Sequence, residues 1–405
     1  MIDTETATLT DEPTGRHIVT FTDDSTPEQR AAALRNIAGV SSVASSEDVD
    51  SDSLGGAEAM PADAVIFEQL GIAVATVSAA QAESMDVNGD TVILAIEPEH
   101  VIRALVAPAT TRSEHASAAD THLADTGRYT WGLQATRASS SPYDGSGVRV
   151  AVLDTGFDLT HPDYVGRPIV SRSFVPGEEV QDRNGHGTHC VGTSCGPKTP
   201  GTGRRYGVAT GASIYVGKVL SNAGSGTDTG IIAGIEWAMS QGCAVISMSL
   251  GANVREQVVA YETIGRRALA AGVLIIAAAG NNAHRPGDPG FVGSPANATT
   301  IMAVAALASD LRIASFSART NPIGGGEIDI AGPGLDVYSS WPMPDRYRSI
   351  SGTSMATPHV AGIAALYAQA TGKRGRDLWD ELASTSETLP LPTLDIGAGL
   401  ASAPR

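Results

Sequence analysis

The chain has 405 residues, 42% hydrophobic and 5% aromatic, with 27 Lys plus Arg against 44 Asp plus Glu and a formal net charge of −17. That length and apolar content suffice for two or three packed cores, whereas the acidity excludes a generic nucleic-acid binder and the composition excludes collagen-like and disordered chains. Residues 1–125 carry 22 acids and 5 bases while residues 126–405 carry 22 of each, so an acidic module precedes a neutral one.

The N-terminus has neither a basic start nor an apolar run, so no Sec signal peptide is expected as the sequence stands, and no stretch of 18 apolar residues predicts a membrane span. The first module then reads as a small α+β unit. His17 to Phe21 is a strand, and Ser25-Thr26-Pro27-Glu28-Gln29 opens a helix to about Ile37, stopped by Gly39. Val40 to Ala44, Ile72 to Val77 and Thr91 to Ile96 are further strands. A short helix lies near Ala79 to Met85, and Asn88-Gly89-Asp90 is a turn. The order β-α-β-β-α-β is the ferredoxin-like pattern. Ser45 to Ala57 and Ala107 to Thr126, polar and without apolar periodicity, are linkers.

From about Gly145 the pattern changes. Val148 to Leu153, Ile214 to Leu220, Ala244 to Met248, Val273 to Ala279 and Ile301 to Ala305 are near-continuous apolar runs, as buried parallel strands are. Amphipathic helices fit between them, at Thr227 to Gln241 and Arg255 to Ala271, and Asp377 to Ser384 is a late helix. This predicts an α/β fold, a doubly wound parallel sheet, whose ligands bind at the carboxyl ends of the strands.

Of the chemistry-bearing residues, Asp154 and Asn281 fall at such strand ends. Asp154 closes the first run, where a carboxylate is either a turn or cap residue or part of a site. His186 stands between glycines in Asn184-Gly185-His186-Gly187-Thr188-His189-Cys190, its imidazole open to approach; the two histidines could equally be metal ligands or satisfied polar groups, but no Glu or Cys ligand pair stands beside them at helical spacing. Ser354 opens an apolar helix running to about Ala370, where a Ser is either a cap or a nucleophile whose free backbone N–H faces a developing anion. Asn281, after Ala278-Ala279-Gly280, is either a turn residue or an amide donor. The three cysteines, Cys190, Cys195 and Cys243, predict no disulfide framework.

Taken together, Asp154-Thr155-Gly156, His186-Gly187-Thr188-His189, Ala279-Gly280-Asn281 and Gly352-Thr353-Ser354-Met355-Ala356 resemble the motifs of the subtilisin-like serine proteases, the subtilases, over roughly residues 126–370. The resemblance implies a serine endopeptidase with Ser354 as nucleophile, His186 as general base and then acid, Asp154 orienting the imidazole, and Asn281 donating to the oxyanion. It implies that Ser249, Leu250 and Gly251 form one edge of the substrate cleft and Leu220 to Gly226, with Gly224, the other, and that substrate adds as an extended strand. No cofactor is required. Asp163 matches a calcium ligand of many subtilases, yet residues 196–206 offer no carboxylate or Asn, so backbone carbonyls would have to supply most of the oxygens of a structural calcium.

Cys190 after His189 resembles the proteinase K-like branch; it is either a small buried apolar group or a thiol with a catalytic part. Residues 1–106 resemble an inhibitor-type propeptide, with 107–126 as a linker holding the processing site and 127–405 as the catalytic domain. The partners implied are peptide or protein substrates and the chain's own propeptide in the cleft, in a monomer without nucleic acid or membrane; family resemblance points to secretion, the missing signal peptide to the cytoplasm. The competing readings are an acyl transferase or single-site maturation protease with the same triad, a pseudoprotease, and a permanent acidic docking domain in place of a propeptide.

Overall fold

The computed structural model describes residues 14–36, 40–49, 62–77, 92–107, 122–321 and 326–405. In its first part β1 (His17–Phe21), α1 (Pro27–Asn36), β2 (Val43–Ser45), β3 (Ala64–Phe67), β4 (Ile72–Ala75) and β5 (Ile93–Pro98) build a five-stranded sheet in the order β2-β3-β4-β1-β5. β1 runs antiparallel to both β4 and β5, and β3 and β4 form an antiparallel pair. Helix α1 starts on a reciprocal cap, in which Thr26 N donates to Gln29 Oε1 and Gln29 N to Thr26 Oγ1. The strand expected at Val40 to Ala44 exists only as the short edge strand β2, parallel to β3, and the place beside β4 belongs to β3, which was not expected. Ala64-Val65-Ile66-Phe67 is buried on both faces, so it lacks the alternation that marks a half-buried strand. Gly39, the helix expected near Ala79 to Met85, the Asn88 to Asp90 turn and most of both expected linkers lie outside the described residues.

The pleat divides this sheet between two cores. Val19, Phe21, Ile66, Ala73 and Ala75 pack with Ala33 and Leu34 of α1, whereas Ile18, Val65, Phe67, Ile72 and Val74 join the core of the rest of the molecule. Strand β6 (Val101–Ala104) leaves the sheet and pairs elsewhere.

The remaining chain carries β7 (Arg149–Asp154), β8 (Ile169–Ser173), β9 (Ser213–Lys218), β10 (Ser225–Thr227), β11 (Val245–Met248), β12 (Leu250–Gly251), β13 (Leu274–Ala278), β14 (Met302–Leu307), β15 (Ile330–Pro333), β16 (Val337–Ser340) and β17 (Tyr347–Ile350). Its helices are α2 (Trp131–Ala135), α3 (His186–Cys195), α4 (Asp228–Ser240), α5 (Val259–Ala270), α6 (Thr353–Thr371), α7 (Gly375–Thr385) and α8 (Thr393–Ile396). Seven strands form a wholly parallel sheet in the order β15-β14-β13-β11-β7-β9-β8. The doubly wound α/β fold read from the sequence is therefore present, and the five apolar runs are its five central strands.

The chain crosses from one half of the sheet to the other between β7 and β11, which opens a crevice at their carboxyl ends. Helix α6, buried from Thr353 to Ala368, packs along β11, β13, β14 and β15 and aims its N-terminus at that crevice. The two edge strands were not expected, for local reasons. β8 exposes Val170, Ser171 and Arg172, and β15 contains Pro333, a residue tolerated at a sheet edge and foreign to a central strand. No helix among the described residues is long and apolar enough to cross a membrane.

Candidate active site

Asp154 ends β7 and is fully buried. Its Oδ1 accepts from Thr155 N at 2.7 Å and stands 2.7 Å from His186 Nδ1, so the ring's Nδ1–H donates to the carboxylate. His186 is the first residue of α3. The loop before it is fixed by Asp182, whose buried carboxylate accepts from Thr155 Oγ1, Asn184 N, Gly185 N, Thr188 N and Thr188 Oγ1 at 2.7–3.0 Å. One side chain thus ties the loop after Asp154 to the N-terminus of the His186 helix. Burial alone opposes charge on His186, but the Asp154 carboxylate, by charge and hydrogen bond, lifts its pKa above the ordinary imidazole value. Among the described residues Nε2 of His186 has no hydrogen-bond partner.

Ser354 sits in the first turn of α6, fully buried, and its hydroxyl donates to Ser249 O at 3.0 Å rather than to His186. Ser249 Oγ in turn donates to Ser354 O at 2.7 Å. Asn281 follows β13. Its Oδ1 accepts from Thr353 N and Thr353 Oγ1, both at 2.9 Å, which fixes the amide flip and aims Nδ2 the other way, at Leu105 O, 2.7 Å distant. Gly352, at φ 157°, allows that approach, since a Cβ there would stand 2.6 Å from Leu105 O.

The expected cleft residues line the groove occupied by β6. Strand β6 lies antiparallel between β10 and β12, with Gly226 opposite Ile102, Leu250 opposite Ala104 and Gly251 opposite Arg103. Ala104 N donates to Gly224 O at 2.9 Å, and beyond Leu105 the chain is held by Ala107 N donating to Ser351 O at 2.9 Å. Leu220 is buried behind β10, its N–H on Asp154 O. The site therefore brings together Asp154, His186, Ser354, Asn281, Ser249, Leu250, Gly251, Gly224 and Leu220.

Asp163 stands apart from them. Its carboxylate accepts from Gly201 N (2.7 Å), Tyr206 OH (2.6 Å) and Tyr347 OH (3.1 and 3.2 Å). This donor set does not fit calcium, because three N–H and O–H groups already face both oxygens and a calcium site needs several more oxygens turned inward. Among the described residues the cluster with metal-ligand geometry is Asp154, His186 and Cys190, whose imidazole and thiol do not suit calcium either. Cys190 Sγ lies 3.8 Å from His186 Nδ1, and burial pushes its thiol well above its usual pKa, so it stays protonated. His189, whose pKa burial lowers to about 3, is a neutral ring bonded to Val337 O.

Sequence reasoning missed Asp182, Thr353 and Ser351. Asp182 gave no local signal, since it stands four residues before His186 whereas the N-cap place is taken by Gly185.

Comparison with known proteins agrees with this geometry. The model of the subtilase family matches residues 145–388. Subtilisin DY of Bacillus licheniformis is 40% identical over 236 residues, covering 58% of this chain and 81% of that protein. Subtilisin E of Bacillus subtilis is 42% identical over 237 residues, covering 58% of each chain. Subtilisin Savinase of Lederbergia lenta is 43% identical over 244 residues, covering 59% of this chain and 84% of that protein. The parallel sheet, the family match and these relatives lead to one assignment: the chain belongs to the subtilase family of serine endopeptidases.

Proposed function

We propose that this subtilase is made as a self-inhibited precursor that cuts its own Leu105–Val106 bond, with Ser354 as nucleophile, His186 as general base and Asp154 as its orienting carboxylate. The observation that carries the reading is Leu105 O accepting from Asn281 Nδ2 at 2.7 Å while β6 fills the groove between β10 and β12. A carbonyl held on an oxyanion donor, with its flanking residues paired on both sides, is a substrate in its cleft.

The reaction follows from the same groups. The Ser354 hydroxyl turns from Ser249 O to His186 Nε2, gives up its proton there and adds to the Leu105 carbonyl carbon. Asn281 Nδ2 and the Ser354 backbone N–H hold the oxyanion. His186 then protonates the Val106 nitrogen as the C–N bond breaks, and water, deprotonated by the same ring, hydrolyses the acyl-enzyme to free Ser354 and a Leu105 carboxylate. Protein groups and water balance every step, so no cofactor enters the chemistry.

On this reading residues up to Leu105 form the inhibitory propeptide, those from Val106 to about Thr126 the linker, and 127–405 the catalytic domain. Outside substrates lie in the same groove, with an aliphatic residue such as leucine before the scissile bond. Gly251 leaves it room, since a Cβ there would stand 3.2 Å from Leu105 Cδ1. The buried Cys190 beside His186 favours a place near the proteinase K-like branch, and because every cleft group comes from one chain, a monomer suffices.

Intact-mass analysis of the wild type and of Ser354→Ala, each treated with a sulfonyl fluoride, tests the proposal. The wild type is expected to start at Val106 and to carry one adduct, and Ser354→Ala to remain full length and unlabelled. A wild type that stays uncut would instead make the acidic domain of residues 1–106 a permanent docking domain.

A further inference from the structure

The mechanism above gives no task to the buried charge of Lys218. Lys218 ends β9, in register with Asp154 on the neighbouring strand, and its side chain is 0% exposed. Its ammonium has three donors and meets three acceptors: Thr155 O at 2.6 Å, Asn222 Oδ1 at 3.1 Å and Glu178 Oε2 at 3.2 Å. Burying an ammonium is costly unless it is fully bonded, so its presence requires these partners to stay in place.

Those partners belong to separate parts of the cleft. Thr155 follows Asp154. Asn222 lies in the turn between β9 and β10, the turn whose Gly224 O takes Ala104 N. Asn222 is bonded through its other groups too: its N–H donates to Glu178 Oε2 at 2.8 Å, its Oδ1 also accepts from Arg183 N at 3.1 Å, and its carbonyl accepts from Asn184 Nδ2 at 3.1 Å. Arg183 and Asn184 belong to the loop leading to His186. The loop that follows Asp154, the loop that precedes His186 and the edge strand that pairs with β6 therefore meet on one ammonium–amide clasp.

We infer that Lys218, acting through Asn222, is a positioning residue that fixes the β10 edge strand and so determines how strongly this protease prefers extended peptides over single-residue substrates. The inference rests on the functional reading above, in which β10 is one edge of the substrate groove. β10 offers backbone groups to the residues two to five places before the scissile bond, and a loosened edge must be ordered again by each substrate that uses it. A substrate that reaches no further than the residue before the bond does not use that edge.

The test uses processed protein and compares an N-acyl tetrapeptide anilide ending in leucine with an N-acyl leucine ester, each rate being divided by the fraction labelled with sulfonyl fluoride. Lys218→Met and Asn222→Ala are each expected to raise KM for the tetrapeptide about ten- to thirty-fold, with kcat within about threefold, so that the preference for the longer substrate shrinks by that factor. Asn222→Asp, which keeps the oxygen facing Lys218 and Arg183, is expected to retain the wild-type KM. If Lys218→Met does not fold, the two Asn222 variants decide. An equal loss on both substrates, or an unchanged tetrapeptide KM in Asn222→Ala, overturns the clasp. A wild type that neither labels nor hydrolyses either substrate overturns the functional reading instead.

Discussion

Asn281 shows what a residue needs beyond its own chemistry. An amide side chain presents an oxygen or a nitrogen with equal ease, and only a neighbour decides which end faces the substrate. Here Thr353 takes the oxygen twice, through its backbone and its hydroxyl, and Nδ2 is left for Leu105 O. Thr353→Val keeps the backbone bond and the volume but loses the hydroxyl. The expected result in processed enzyme is a kcat lowered roughly tenfold, the value of about one hydrogen bond, with KM nearly unchanged. Steady-state kinetics on a tetrapeptide anilide measure it; a change confined to KM would mean that Thr353 shapes the groove rather than the amide. Asp154, His186, Asn281 and Ser354 were legible in the sequence because each sits in a short Gly-rich motif at a strand or helix end. Asp182 and Ser351 were not, since an acceptor of backbone N–H groups and a backbone carbonyl carry no sequence pattern.

At the level of elements, the two helices facing the N-terminal sheet each receive a carboxylate from the N-terminal unit at their N-termini, α4 in addition to its own N-cap Thr227. Glu97 accepts from Val259 N at 2.8 Å and Ala260 N at 3.1 Å, at the start of α5. Glu99 accepts from Thr229 N at 3.0 Å and from its hydroxyl, at the start of α4, and pairs on its other side with Arg16 at 2.6 Å. A carboxylate at a helix N-terminus satisfies free N–H groups and complements the dipole. This explains why α5 begins at Val259 and not at the expected Arg255: Val258, its N-cap residue, has no side chain to do the capping, so the first turn forms where Glu97 reaches. In full-length Ser354→Ala, Glu97→Ala should cost about 1–2 kcal/mol, and Glu97→Gln less because it still accepts. Denaturant unfolding of the three proteins measures this, and equal midpoints would show that the cap contributes nothing.

For the molecule as a whole, the N-terminal sheet and the parallel-sheet core meet over apolar faces fringed with titratable groups. Arg266 and Arg267 of α5 hold Asp23, and Glu236 of α4 accepts from Ser46 Oγ at 2.5 Å and Gln69 N at 3.1 Å. Burial raises the pKa of Glu236 to about 6, the bonds from Ser46 and Gln69 oppose this, and the nearby carboxylates of Glu47 and Glu68 add to the rise. A carboxyl group raised from 4.5 to about 6 stabilises the docked state fully below pH 4.5, and that contribution is lost as pH rises through 6; the shift corresponds to roughly 2 kcal/mol. The N-terminal unit should therefore hold most firmly in mild acid and loosen toward neutrality. Unfolding of Ser354→Ala at pH 4.5 and 7.5 is expected to show this difference, and Glu236→Gln to remove about that much of it. The same pH dependence in both proteins would assign it to other groups.

The sequence by itself determined the central parallel strands, the positions of the candidate site motifs at strand ends and helix starts, and the division into an acidic and a neutral part. Each of these is written locally, in apolar runs, in glycine-flanked motifs and in charge. Only the tertiary structure decided that Val101–Ala104 lies between β10 and β12 with Leu105 O on Asn281, that Glu97 and Glu99 cap helices some 130 to 160 residues away, and that Lys218 joins three parts of the cleft. The physical reason is common to all three. They are made by backbone groups and by charged side chains bonding to them, carboxylates to N–H donors and an ammonium to oxygen acceptors, which nearly any sequence can offer, so the partner is chosen by what the folded chain brings within hydrogen-bond reach.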